Sequence, residues 1–515
     1  MQQLLGFAER VQGYMSEQQV PGLAVAVVRD GALLYSQGFG VTSVEDGGLP
    51  VTTSTLFRIG SITKALTGTM LMRLVEQGTL ELDRPIVEYI PWFRLSRPEW
   101  SGLVTLRMLL THRSGIPTEL NQFGRRDPEG LEAHVREEIP RLQVVAPPGT
   151  VYCYSNGGLN VAGYLAQVVT GKPFTVLMDE LLLRPLGMGR TTFDPMVAIT
   201  YPVAQAHRPG PDGSVRVVHR MPENTADYPC GFAFSTADDL ARFASMHLCG
   251  GQGLLSPDSV DAMHRPQFPC YNTFNSYVGL AFRTYGYKGR RRVFHGGAID
   301  GFRASLELLP DEGLSVIILG NGYPTDGFAT LGNAIIDELL GLEPGPWVLP
   351  AVAPEGPVYT GWYISQRRGL IHVFHEGDQL VAERHGERLV LEAIAPHLYR
   401  QRNQAVAFVS PEIISYDGTP ATRYEPDPSF TPDPARWSEY VGTYLRNSPV
   451  TIRLEEGRLL VDSAGFGEVT EAVPVGPDEF ACKWGCFRFT RNEAGQVNGK
   501  LWWGERFYAP TASRT

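Results

Sequence analysis

The stretch "FRIGSITKALTGTMLMRLVEQG" (Phe57–Gly78) decides how the chain is read. Ile62, Ala65, Leu66, Met70, Leu74 and Val75 recur at helical spacing, and Leu71 and Met72 widen the stripe. Gly78 stands where a helix stop belongs. So broad an apolar face predicts a central, mostly buried helix. Ser61 falls in its first turn and Lys64 three residues on, and positions i and i+3 share a face, so the pattern sets an amine beside a hydroxyl. The lysine is unusual in itself. Of 45 basic residues only five are lysine, Lys64, Lys172, Lys288, Lys483 and Lys500, and Ser61–Lys64 is the one S-x-x-K. Arginine does not release its proton in a protein, whereas a desolvated lysine does. Burial and the positive end of the helix dipole both disfavour an ammonium here, so an uncharged amine that accepts the serine proton is expected. The helix start also aims the Ser61 N–H at the place where an oxyanion would form.

Two later stretches supply what a serine nucleophile lacks. "APPGTVYCYSNGGLNVAGYLAQVVTG" (Ala146–Gly171) places Tyr154, Ser155 and Asn156 in a loop that opens another helix, with Asn156 as a candidate cap. A tyrosine beside a cationic lysine suits proton delivery to a leaving group. Asn156 can donate to a substrate carbonyl and bond to Lys64. "FHGGAIDGF" (Phe294–Phe302) reads as a strand with His295, Gly296 and Gly297. Glycines inside a strand mark close approach by a ligand or another backbone. Such an edge can pair with a substrate main chain, with the Ala298 N–H as a second oxyanion donor.

Around these stretches the layout is α+β. "GLAVAVVRDGALLYSQGFG" (Gly22–Gly40) is a β-hairpin by pattern, and "RRVFHGG", "FRASLELLP" and "GLSVIILGN" are three late strands, with "TDGFATLGNAIIDELLGL" a helix after them. Two strands at the front and three at the back imply one antiparallel sheet joined late by distant parts of the chain. Residues 1–345 are read as this domain and 346–355 as a proline-rich linker. The remainder is strand-like, and "YTGWY" at Tyr359 is echoed by "YVGTY" at Tyr440. Two β-barrel repeats, 356–432 and 433–515, or one barrel of two halves, are expected.

Composition narrows the function. A net charge of −10 leaves no basic footprint for nucleic acid, and no basic run suits an anionic membrane. No apolar stretch approaches the ~20 residues that span a bilayer. "MQQLLGFAERVQGYM" reads as an amphipathic helix rather than a leader, so a cytoplasmic protein is expected, with an exported form lacking its leader left open. Six cysteines are too sparse for a disulfide framework; those in "CKWGC" (Cys482, Cys486) have the wrong gap for redox or zinc chemistry and read as buried thiols. The histidines of "HVFH" (His372, His375) point to opposite faces of a strand. No metal and no cofactor are expected. A homo-oligomer is left open.

S-x-x-K, Y-x-N and H-x-G in this order resemble the penicillin-recognising serine hydrolases: class C β-lactamases, low-molecular-weight penicillin-binding proteins, D-aminopeptidases and related esterases. The likeness covers about residues 5 to 340, through segments such as "VTLRMLLTHRSGIP" and "GFAFSTADDLARF". It implies the β-lactamase/penicillin-binding-protein fold, an antiparallel sheet with flanking helices and a helical subdomain. It implies Ser61 as the acylated nucleophile, Lys64 and Tyr154 as the proton-transfer network, Asn156 as substrate-orienting, and the N–H groups of Ser61 and Ala298 as the oxyanion hole. Where many relatives carry K-T-G this chain has His295, which is only partly charged near neutrality. That disfavours tight binding of a free carboxylate, unless Arg303 replaces the charge, and points to an aminopeptidase acting on short peptides, including those with D-residues. The alternatives are a promiscuous esterase or weak β-lactamase, or a penicillin sensor that is acylated without turnover. D-aminopeptidase-like relatives append small β-barrels, and on that likeness a C-terminal all-β barrel region, lipocalin-like or two small barrels, is expected, with one of its loops roofing the site.

Overall fold

The five strands anticipated from the sequence pair into one antiparallel sheet in a computed structural model. It describes residues 6–510 apart from 119–120, 211, 273–275, 345–356, 396, 402–403, 426, 446–449, 464–467 and 503–506. The hydrolase-like part runs α1 (Phe7–Glu17), β1 (Gly22–Arg29), β2 (Ala32–Gly40), β3 (Phe57–Arg58), α2 (Ile62–Glu76), α3 (Asn156–Thr170), β4 (His207–Pro209), β5 (Val215–Val217) and β6 (Phe234–Ser235). It continues with α4 (Ala237–Leu248), α5 (Pro257–His264), β7 (Phe268–Pro269), β8 (Ser276–Val278), β9 (Arg283–Tyr287), β10 (Arg290–Ile299), β11 (Phe302–Leu309), β12 (Leu314–Gly320) and α6 (Ala329–Leu340). The sheet order is β2-β1-β12-β11-β10-β9-β8-β7. The front and back of this part of the chain meet where Ala26 pairs with Ile317. Strands β7 to β9 extend the sheet beyond the expected five; they are short, and "RTYGY" carries no alternating apolar pattern.

Two helical layers cover the sheet. Residues of α2 and α4 pack with Ala24, Ala26, Leu306 and Ile317 on one face. Those of α1 and α6 pack with Leu23, Val25 and Ile318 on the other. Helix α2 is the centre of the first layer: twelve of its fifteen residues are buried, as its broad stripe predicts. Each large apolar side chain so buried contributes roughly 1.5–3 kcal/mol. The helix stops at Gly78 (φ +71°), with Thr79 N–H donating to the Leu74 carbonyl and Gly78 N–H to that of Val75. That is a Schellman stop.

The entry to α2 is tied down too. Strand β3 pairs with β6, and Ile59 N–H donates to the Ala233 carbonyl at 3.0 Å. Arg58 is buried, stacks 3.8 Å over the Phe234 ring, and pairs with Glu223 at 2.8 Å. It also donates to the carbonyls of Pro222 and Phe232. Removing one partner of so buried a pair costs roughly 3–5 kcal/mol.

In the tail, eight strands from β13 (Gly361–Ser365) to β20 (Thr419–Arg423) form a closed barrel, β13 pairing with β20. Nine further strands between Gly442 and Pro510 form a separate sheet. The choice between one barrel of two halves and two units thus resolves as a barrel followed by a sheet. The proposed linker at 346–355 lies outside the described residues. The echoed sequences have the same local structure: Tyr363 Oη donates to the Tyr359 carbonyl at 3.0 Å, and Tyr444 Oη to the Tyr440 carbonyl at 2.9 Å. Among the described residues no helix is long and apolar enough to cross a membrane.

Behind α2 lies a polar inclusion. Thr69 Oγ1 is 3.1 Å from His247 Nε2, and His247 Nδ1 is 3.1 Å from His264 Nε2, all buried. Burial, reinforced by the positive Arg291 for His264, holds His264 at about 3, and burial also holds His247 well below its usual value. Both are therefore neutral in the folded chain and protonate on unfolding below pH ~6.5. The stability that these two histidines contribute is expected to be full above that pH and to fall as the pH drops below it, the His264 share levelling off under about pH 3. Urea midpoints from pH 7 to 4 read this. His264→Leu should flatten the slope by about one proton per molecule; an unchanged slope would contradict the assignment.

Candidate active site

Ser61, Lys64, Tyr154, His295, Gly296, Gly297 and Ala298 converge where the start of α2 meets the edge of β10. Lys64 is wholly buried, and its Nζ lies 3.0 Å from Ser61 Oγ while donating to the Cys230 carbonyl at 2.6 Å. One turn on, Thr67 Oγ1 donates to the Pro229 carbonyl at 2.8 Å, so the segment before β6 grips this face of α2. The Tyr154 ring centroid is 4.9 Å from Lys64 Nζ, and the His112 ring stacks on Tyr154 at 4.5 Å.

Two glycines bring the backbones together. A Cβ on Gly297 would fall 2.0 Å from the Ile59 carbonyl oxygen, and one on Gly60, at φ +52°, would fall 2.5 Å from Ala298 N. The peptide that leads into Ser61 therefore lies directly against the one that carries Ala298 N. Strand β9 pairs with β10 only as far as Phe294, opposite Arg283. Beyond it His295–Ile299 keeps β11 on one side and an edge toward the cavity on the other. The cavity there is ≈ 550 Å³ and is lined by Ser61, Tyr154, Arg283, His295, Gly297 and Ala298 among others. A larger one, ≈ 830 Å³, lies between Phe193, Met196, Met221 and Tyr228, and no serine or lysine is among its lining residues.

Electrostatics differ from the sequence expectation. His295 donates from Nδ1 to the Gly296 carbonyl at 2.8 Å, and burial, then the charges of Lys64 and Arg283, hold it at about 3. It is neutral at pH 7 rather than partly charged. His112, fully buried, accepts from the Ser155 N–H at 3.1 Å and is held well below its usual value by burial and by Lys64. Arg292, paired with Glu307 at 2.7 Å, and Arg283 both bring permanent charge to the cavity; Arg283 donates to Tyr152 Oη at 3.2 Å and lies 5.8 Å over the Tyr154 ring. Sequence reasoning missed it because a lone arginine in a short strand carries no motif. Arg303, the replacement suggested by sequence, also lines the cavity but is stacked 3.4 Å over Tyr323.

Asn156 needs correction. The cap of α3 is Ser155, whose Oγ accepts from the Gly158 N–H at 2.8 Å, and Asn156 is the first helical residue. Its amide donates to Thr118 Oγ1 at 3.3 Å, and no Asn156–Lys64 bond is present among the described residues. Asparagine and serine cap equally well, so the sequence could not separate them.

The tail reaches the same neighbourhood. In the turn between β13 and β14 (Gly369–Glu376), Gln366 donates to the Gln143 carbonyl at 2.9 Å, and Arg367 lies close enough to Cys153 for its charge to act on that thiol. Burial, the larger effect, pushes the thiol up to about 12.

Comparison with known proteins places the chain in a family. The Beta-lactamase family matches residues 7–340. Penicillin-binding protein 4 of Amycolatopsis lactamdurans is 30% identical over 67% of this chain and 93% of its own. Unguisins hydrolase ungD' of Aspergillus campestris is 31% identical over 65% of this chain and 64% of its own. A solved structure described as the octameric penicillin-binding protein homologue from Pyrococcus abyssi superposes with a TM-score of 0.60 at 21% identity, over 88% of this chain and 97% of that one.

The glycine contact makes a direct prediction. Gly297→Ala drives a methyl group into the Ile59 carbonyl and must push Ser61 and Ala298 apart. Labelling of Ser61 by an acylating agent, followed by intact mass, should slow by about 100-fold or more. A normal labelling rate would show that the approach is not needed.

Proposed function

We propose, from the premise that this chain belongs to the Beta-lactamase family of serine hydrolases, that it hydrolyses short peptides through an acyl-enzyme on Ser61. The observation that carries the reading is the fully buried Lys64 Nζ, 3.0 Å from Ser61 Oγ and anchored by the Cys230 carbonyl. In the uncharged state that amine keeps a lone pair for the serine proton. Oγ then attacks the scissile carbonyl carbon, whose electron pair moves to the oxygen. The N–H groups of Ser61 and Ala298 receive that oxyanion. Collapse expels the leaving amine, which takes its proton by way of Tyr154 from Lys64, and water repeats the sequence on the ester. The peptide main chain lies along the open edge at His295–Ala298, and Asn156 would leave Thr118 to meet its carbonyl. Octameric assembly of the Pyrococcus abyssi homologue supports a homo-oligomer for this chain too, read by sedimentation.

A second reading rests on Arg283. Its guanidinium is a permanent cation in the cavity, where the neutral His295 offers none. A substrate with a carboxylate on the leaving-group side, as in a carboxypeptidase, is then favoured over one with a free amine. Arg283→Gln should raise KM for a carboxylate-bearing peptide by about tenfold and leave a neutral p-nitrophenyl ester alone. Equal effects on both would dismiss carboxylate recognition.

The chemistry itself is tested by two substitutions. Ser61→Ala should abolish turnover of p-nitroanilides of D- and L-amino acids, p-nitrophenyl esters and a chromogenic cephalosporin, with the fold intact by circular dichroism. Lys64→Arg keeps the charge but not the proton transfer and should be nearly as damaging. Activity surviving either change removes that residue from the mechanism. A single stoichiometric burst in the unmodified protein would select the sensor over the hydrolase.

A further inference from the structure

The edge that receives substrate in this reading has a strand partner on one side only. From His295 to Ile299, β10 has no β9 partner and contains two glycines, yet Ala298 N–H must sit within a fraction of an ångström of its place to act as a donor. What holds it is found at the tip of the β10–β11 hairpin. Ile299 pairs with Phe302, leaving Asp300 and Gly301 as the turn. The Asp300 side chain is 0% exposed, an unusual place for a carboxylate. Arg208, on β4, makes an ion contact with Oδ1 at 2.6 Å, and Arg220, after β5, donates from Nε to Oδ2 at 3.0 Å. Each arginine is itself backed by an aromatic ring, Arg208 by Tyr323 at 5.8 Å and Arg220 by Phe123 at 4.9 Å. Gly301, at φ +82°, lets the turn lie against this segment, since a Cβ there would meet Ala206 Cβ at 2.7 Å.

We propose that Asp300, gripped by one arginine on each carboxylate oxygen, is a positioning residue that fixes the Ala298 N–H of the oxyanion hole. The inference rests on the reading of Ala298 as a donor. Asp300 touches neither substrate nor Ser61; it acts by tying the hairpin tip to the β4–β5 segment, so that the open edge is held at its far end as Arg283 holds it at its near end.

The test uses the full chain, a p-nitrophenyl ester, and an arylboronic acid, whose tetrahedral adduct on a serine puts an oxygen in the oxyanion hole. Asp300→Asn is expected to lower kcat by about 10- to 100-fold with KM within about twofold, and to weaken boronate inhibition by the same factor. Arg220→Gln, a change at a half-exposed side chain, covers the case in which Asp300→Asn does not fold, and should give a smaller loss of the same kind. A residue that only stabilised the fold would lower the melting temperature and leave the kcat and boronate affinity of the folded fraction untouched, and that result overturns the proposal. Ser61→Ala, assayed alongside, must lose both turnover and boronate binding. If it keeps them, the nucleophile is wrong, and that failure is distinct from a failure at Asp300.

Discussion

Everything at the site depends on one contact between two stretches of backbone. The Ile59 carbonyl lies where a side chain at residue 297 would be, and Ala298 N lies where one at residue 60 would be. Only a pair of glycines permits that approach, and its consequence is positional. The first turn of α2 is pressed against the sheet edge, so a helix N-terminus, a nucleophile and a strand N–H meet within one small volume. A methyl group on either side would separate the element carrying Ser61 from the element carrying Ala298, whatever the quality of the rest of the core.

So close a meeting must be held from behind, and the structure does so with buried polar groups rather than packing alone. Arg58 spends its guanidinium on Glu223 and two carbonyls, Thr67 takes the Pro229 carbonyl, and Lys64 takes that of Cys230. All of these bind the segment 222–232 to the approach and first turns of α2. A buried polar group left unmatched costs about 1–3 kcal/mol, so these bonds specify one register where apolar contacts would allow several. Lys64 therefore has a structural partner and a chemical one on the same nitrogen.

Much of this was legible in the sequence, and for identifiable reasons. The stripe from Ile62 to Val75 located a buried helix, glycine at 297 flagged a close approach, and paired front and back strands located the sheet. What escaped was whatever depends on backbone carbonyls or on burial not encoded locally. No residue pattern announces the Cys230 carbonyl as an anchor for Lys64. The charge state of His295 follows from its enclosure, and Arg283 gains its meaning only when β9 is set beside β10. Ser155 and Asn156 were equal as caps until the backbone chose between them. In the tail, each copy of the echoed "YTGWY" and "YVGTY" makes a tyrosine–carbonyl bond that the sequence did not announce, because its acceptor is a backbone oxygen.

The open edge of β10 shows how function and stability are divided. On the proposed reading this edge pairs with substrate and so cannot pair with another strand, and the ladder bonds that β9 would have supplied beyond Phe294 are absent. Compensation is placed where it does not obstruct: β11 on the inner side, the Ile59–Gly60 backbone across one face, and Asp300 with its arginines at the tip. The barrel touches the hydrolase part through Gln366, which is bonded to Gln143. The turn that makes this contact is in turn backed by the second sheet, whose Cys486 N–H donates to the Gln366 carbonyl at 3.1 Å and whose Gly485 allows that carbonyl to come within 2.1 Å of a Cβ position. Both units of the tail therefore bear on one short turn, whose Gln366 holds the Gln143 carbonyl with its side chain and receives the second sheet on its own carbonyl, so the barrel, the second sheet and the hydrolase part are joined at a single residue.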